Sequence, residues 1–248
     1  MKDFFEGVKL LGQGLKRVGT HPKRLFLGLI PAFLSLVLFT ILFAVLIIFL
    51  GDIIDVATWY ARDWSSALRG MVEVLTGVAI LGIAGLLAIL SYTAVTLAIG
   101  DPFYEAIAES IEDELGGVPD EVNTPFFAAM MRSLRDSGRL ILTTLVIAIP
   151  LFVVGLIPVI GQVVGPVLGA LVGGWFLSVE VTGVAFYRRG LGLKERRRLL
   201  RTQRKTAIGF GVAIFLCFLI PLGGVLIMPA AVAGGTLLTR KVFGLPIN

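Results

Sequence analysis

The sequence predicts an all-α integral membrane protein. Its expected parts are two long transmembrane helices, two short helical hairpins of re-entrant type, and amphipathic helices between them. Three observations predict this class. Of the 248 residues, 56% are hydrophobic and only 16% are charged, against about 25% charged in soluble domains. The charges gather in blocks that separate four uncharged runs, 25–50, 74–100, 140–179 and 206–239. The last two runs repeat one proline–glycine phrase, LIPVIGQVVGP at 156–166 and LIPLGGVLIMP at 219–229, with prolines eight apart in each.

Composition also removes several function classes. A single cysteine, Cys217, excludes an internal disulfide, and a single histidine, His21, excludes a multi-histidine metal centre. Residues 1–24 are charged throughout and lack the apolar core of a cleavable signal peptide. No Ser/His/Asp set, paired-acid cleft, phosphate-cradling glycine loop or metal-spacing pattern is present, so neither an enzyme nor a cofactor is expected. The basic blocks are separated by apolar runs, which points to membrane orientation rather than to nucleic acid.

Taken in order as one membrane domain, residues 1–24 form an amphipathic helix. Phe4, Val8, Leu11, Leu15 and Val18 share one stripe, and Lys2, Glu6, Lys9 and Lys16 lie mostly opposite. That stripe fits either the membrane surface or the protein's own surface. Residues 25–50 and 74–100 each exceed the about 20 apolar residues a span needs. At 101–139 a polar helical region follows. Asp101 is placed to cap it, Pro102 to start it and Gly116-Gly117 to end it. Glu105, Glu109 and Glu112 line one face. That face is open to three readings: a solvated surface, a cation site, or an ion pair with an arginine such as Arg132, Arg135 or Arg139.

The repeated phrase falls in the two hairpins, 140–187 and 206–239. Pro158 and Pro221 are expected to end or bend helices, with Gly161, Pro166, Gly223, Gly224 and Pro229 completing the turns. Splitting the runs there leaves arms of 18 and 14 residues in the first hairpin and 15 and 15 in the second. At 1.5 Å per residue, 15 residues reach roughly 22 Å, short of the roughly 30 Å hydrocarbon core. Two readings stand: hairpins that turn back inside the membrane, and tilted hairpins that span it. Turning back leaves backbone groups unpaired unless protein or a water-filled cavity covers them. Between the hairpins, 188–205 is a basic helix suited to anionic lipid headgroups. Glu180 at the edge of the third run reads either as an interfacial side chain or as a functional ionisable group.

The Lys/Arg bias sets the expected orientation. Six basic residues stand in 1–24 and nine in 180–206, but only Arg62 and Arg69 in 51–73. A cytoplasmic N-terminus puts the basic blocks on the inner side of the plasma membrane.

These pieces, in this order, resemble the CysZ-type sulfate permease family, which shares its domain with the etoposide-induced membrane proteins. The matching stretches are DPFYEAIAESIEDELGG, LIPVIGQVVGPV, LKERRRLLRTQRK and IPLGGVLIMPAAVAGGT, and the likeness runs from about residue 5 to residue 240. It implies a homo-oligomeric permease that takes up sulfate or a related oxyanion for cysteine biosynthesis, with partly penetrating hairpins. In that family an adjacent Arg pair at the start of the first long helix binds sulfate. Here, in THPKRLFLGLIP, Leu25 and Phe26 stand at those places, and Lys23 and Arg24 lie just upstream. A second departure lies at 183–185, where family members commonly carry Asp-Tyr-Pro. The resemblance therefore makes Arg24 and Lys23 the candidate anion ligands, with Glu109 as a supporting ion-pair residue; Arg135, from the spacing above, is the expected basic support. Interfacial snorkelling is the alternative role for Lys23 and Arg24. The competing function is a non-transporting membrane scaffold or lipid-interacting protein of the same fold.

Overall fold

A computed structural model of the chain describes residues 1–119, 121–122, 126–157, 160–220 and 222–247, without the side chains of 126–130, 132–134 and 160. The described residues form helices and no strand: α1 (Lys2–Gly19), α2 (Pro22–Ile48), α3 (Leu50–Ala57), a 3-10 turn (Trp59–Ala61), α4 (Ser66–Glu114), α5 (Phe126–Gly155), α6 (Ile160–Val181), α7 (Gly183–Tyr187), α8 (Leu193–Thr202), α9 (Arg204–Phe218) and α10 (Gly223–Val242). Among them, five stretches are long and apolar enough to cross a membrane, in α2, α4, α5, α6 and α10. The chain divides into two compact units, Ile30–Asp101 on one side and Met1–Leu29 with Pro102–Asn248 on the other.

The smaller unit holds most of α2, then α3 and the first part of α4. Apart from small residues at its contacts, it presents apolar side chains outward, among them Phe33, Ile48, Val78, Ile89 and Leu90. Tyr92 donates to the Ala32 carbonyl at 2.8 Å and sets its ring 5.8 Å from Phe39, tying α4 to α2. Trp59, Tyr60 and Trp64 stack edge to face near the connection, the amphipathic rings that favour a membrane–water boundary.

The larger unit is built on close helix approaches at glycine. A Cβ on Gly211 of α9 would lie 1.7 Å from the Gly174 carbonyl oxygen of α6, so only glycine lets these two backbones meet. The same holds for Gly7 and Gly14 of α1 against α9 and α10. This sets which face of α1 is buried. Gly7, Leu10, Leu11, Gly14 and Val18 face inward, whereas Val8 and Leu15 of the expected stripe are exposed. Side-chain hydrophobicity marks the stripe; the packing is set by where the backbone can come closest. Of the two expected positions for this helix, the protein's own surface is the observed one.

Two further boundaries differ from expectation. Asp101 and Pro102 do not open a helix, because α4 runs through them for 49 residues. A proline inside a helix costs the Ala98 carbonyl one partner, but two helix ends leave four unpaired groups each. The C-terminus of α4 is where Gly116 and Gly117 place it, with φ of 97° and 81°. Gly117 N–H donates to the Glu112 carbonyl at 2.7 Å and Gly116 N–H to that of Asp113 at 3.2 Å, a Schellman end. Pro166 and Pro229 likewise lie inside α6 and α10 rather than in the turns. Pro229 packs its ring on Gly28 of α2, where a Cβ would lie 2.6 Å from Cγ. The apolar arms of the first hairpin are 21 residues each, 135–155 and 161–181, longer than the sequence split suggested because the helices continue past Pro166 and upstream of Leu140.

Candidate anion-binding site

Both hairpin reversals use the same local device. The returning helix begins with a glycine, Gly161 in α6 and Gly223 in α10, against the last carbonyls of the outgoing arm. A Cβ would lie 2.5 Å from the Val154 and Gly155 oxygens in one case and 2.0 Å from the Cys217 oxygen in the other. Gly224 follows and is buried, while Pro158 and Pro221 lie outside the described residues. Leu222, with φ of 62°, takes the left-handed conformation in the second turn, a strained choice for a residue with a branched side chain.

The polar centre of the larger unit is the C-terminal end of α4. Its carboxylates gather arginines from four other parts of the chain. Glu112, fully buried, accepts from Arg189 at 2.8 Å through Oε1 and from Arg240 at 2.5 Å through Oε2. Arg240 also donates to the Leu115 and Gly117 carbonyls at 2.5 and 2.8 Å, the carbonyl-rich end where a helix favours a cation. Its Nε donates to the Pro246 carbonyl at 2.9 Å. Arg189 bonds the Ala185 carbonyl at 2.7 Å and lies 5.2 Å from the Phe243 ring centre. Each residue has a local reason for its place: Glu112 sits in the last turn before the glycine stop, and Arg240 in the last turn of α10.

Glu114, two residues further on, collects Arg17 and Arg24. Arg24 is 4% exposed; its Nη2 lies 2.6 Å from Glu114 Oε2. Nε donates to Ser110 Oγ at 2.9 Å and Nη2 to the Ser110 carbonyl at 2.8 Å. Arg17 pairs with the other Glu114 oxygen and donates to the Ile247 carbonyl at 2.9 Å. Only Nη1 of Arg24 remains lightly engaged, 3.5 Å from the Arg17 carbonyl. Lys23 beside it is exposed, and no bond of its ammonium occurs among the described residues. The end of α1 and the start of α2 thus bring Arg17 and Arg24 to one carboxylate, with Lys23 beside them. The Lys23 ammonium, with the weakly bonded Arg24 Nη1, is suited to an incoming anion.

The supporting pair expected from sequence is not brought together. Glu109, mostly exposed, faces Arg188 at 3.8 Å, and Arg188 pairs more closely with Glu121 at 2.7 Å. Arg135 is exposed, with no side-chain bond among the described residues. Of the three aligned glutamates, Glu112 is the buried one, and it is engaged by two arginines, Arg189 and Arg240 of α10. Sequence spacing marked Glu105, Glu109 and Glu112 alike; the one signal that separated them was Glu112's position five residues before Gly117. Glu180 accepts from Ser137 at 2.6 Å.

Comparison with known proteins bears on what this arrangement serves. A family model described as sulfate transporter CysZ/etoposide-induced protein 2.4 matches residues 10–229. A Pseudomonas aeruginosa protein named sulfate transporter CysZ is 31% identical over 236 residues, covering 93% of each chain. A protein of the same name from Vibrio parahaemolyticus is 34% identical over 157 residues, 61% of this chain and 63% of its own length. One from Pseudomonas fluorescens is 31% identical over 237 residues, 93% of this chain and 91% of its own.

Proposed function

This chain belongs to the sulfate transporter CysZ/etoposide-induced protein 2.4 family, a family of membrane transporters, and from that premise we propose that it is a permease for sulfate. The observation that carries the reading is the likeness, along 93% of the chain, to a protein named as a sulfate transporter. The cationic excess at the start of α2 supports it, because a doubly charged tetrahedral anion is held by converging N–H donors.

In this reading the protein sits in the inner membrane with its N-terminus in the cytoplasm, as the Lys/Arg bias favours. It forms a homo-oligomer and supplies sulfate for cysteine biosynthesis. The α9–α10 hairpin turns back within the membrane; α9, at 15 residues, reaches only roughly 22 Å. The two 21-residue arms of the other hairpin are long enough to cross. Arg24 serves chiefly to hold α2 against α4, and Lys23 offers the free charge that meets the anion.

Radiolabelled sulfate uptake into proteoliposomes tests this. Uptake is expected above empty vesicles. Lys23→Ala is expected to raise the half-saturating sulfate concentration roughly tenfold, the size of one lost charge-assisted contact. No uptake with folded protein would refute the permease and leave the non-transporting scaffold.

A further inference from the structure

A second group of arginines lies away from the end of α4, with buried guanidinium nitrogens that lack hydrogen-bond partners. Arg196 of α8 is 1% exposed, and its Nε and Nη2 are buried without a hydrogen-bond partner. The Nε and Nη2 of Arg197 are in the same condition. No ion pair of either residue occurs among the described residues. Arg196 lies 5.2 Å from the ring centre of Tyr187 and Arg197 5.9 Å from that of Phe176. These rings hold the planes of the guanidinium groups and leave their edges open.

The Asp136 carboxylate acts on Arg197 through space, and the hydrogen bonds of the acidic groups nearby go elsewhere. Asp136 Oδ2 accepts from the Tyr187 hydroxyl and from the Leu193 backbone N–H, both at 3.1 Å. Burial, and then the Asp136 carboxylate, push the Tyr187 hydroxyl up to about 12, so it keeps its proton and goes on donating to Asp136. Glu180 is taken by Ser137, and Glu195 of α8 is exposed. Gly183 makes room for the buried guanidinium, since a Cβ there would lie 2.2 Å from Arg196 Nη1.

An arginine cannot relieve its burial by losing a proton, and a buried charge without a partner costs several kcal/mol. On both residues the open nitrogens are Nε and Nη2, which together form one edge of the guanidinium fork. That edge is the one that grips two oxygens of an oxyanion side by side. We propose that Arg196 and Arg197 form a second oxyanion site, at the α6–α7–α8 junction and separate from the start of α2, taking a tetrahedral sulfate or phosphate group on their paired Nε/Nη2 edges. The group comes either from a free anion or from the headgroup of an anionic lipid. The site does not depend on the chain being a transporter.

The test measures thermal unfolding of the full chain in detergent, on a Lys23→Ala background that removes the free charge at the start of α2. One arm titrates sulfate against chloride at constant ionic strength; the other compares phosphatidylglycerol with phosphatidylcholine. Sulfate, phosphatidylglycerol or both are expected to raise the melting temperature, and the active arm names the source. Arg197→Gln is expected to weaken that response roughly tenfold or more. It should leave the anion-free protein no less stable, because it removes an unpaired buried charge. Gly183→Ala, whose Cβ takes the space of Arg196 Nη1, is expected to displace that guanidinium and weaken the response. A response unchanged in Arg197→Gln, or none to either anion, would overturn the site.

Discussion

The two hairpins are written with nearly the same phrase and meet different surroundings. In α10, 72% of the most apolar stretch is buried within the protein, against 6% in α5 and 22% in α6. Yet α10 has the lowest mean hydropathy of the three, 1.3 against 2.1 and 1.6. Hydrophobicity therefore tells that a segment leaves water, but not whether lipid or protein lies beside it. The small residues tell that. Gly209 and Gly211 of α9 and Gly234 and Gly235 of α10 all stand where a Cβ would press on a neighbouring helix; in the first hairpin Gly173 and Gly174 of α6 do so against α9, whereas Gly138, Gly155 and Gly169 face open space. Without a water-driven force between helices in lipid, such close approaches are what hold them together.

Breaking the comparison begins with its most costly point. Glu112→Gln leaves Arg189 and Arg240 facing a neutral amide, and is expected to cost about 3–5 kcal/mol, read by detergent-denaturant titration in mixed micelles. Gly211→Leu forces α9 away from α6 and is expected to cost about 3 kcal/mol. Gly169→Leu, at an open position of α6, should change stability little; equal losses at the two sites would show that packing at Gly211 is not what joins these helices. A smaller but more direct contrast lies in leucine truncation. Leu237→Ala in α10 is expected to cost about 2–4 kcal/mol, and Leu145→Ala on the exposed face of α5 under about 0.5 kcal/mol. Comparable values in α5 and α10 would mean that α5 too is covered by protein, as a subunit contact would cover it.

The parts legible in the sequence are those decided within a few residues. The apolar runs, the glycine stop at Gly116-Gly117 and the glycines that open the returning helices could be read from local chemistry. The parts that were not legible depend on residues far along the chain. Only its place five residues before Gly117 sets Glu112 apart locally from Glu105 and Glu109, and its partners lie 77 and 128 residues later. Pro102 has the form of a helix start, but the length of α4 is decided by the cost of ending a helix in apolar surroundings. Arg24 looks like a free ligand in sequence and is tied down only by Ser110 and Glu114.

The 128 residues between Glu112 and Arg240 are also an interval of time. At a synthesis rate of about 5–20 residues per second, Arg240 follows Glu112 out of the ribosome after roughly 6–26 seconds. For most of that period the Glu112 carboxylate has neither arginine, and α1, made first of all, has no α10 to lie against. Insertion of the early spans must therefore precede closure of the polar centre. A nascent chain stalled between Arg189 and Arg240 would carry Glu112 with one of its two arginines.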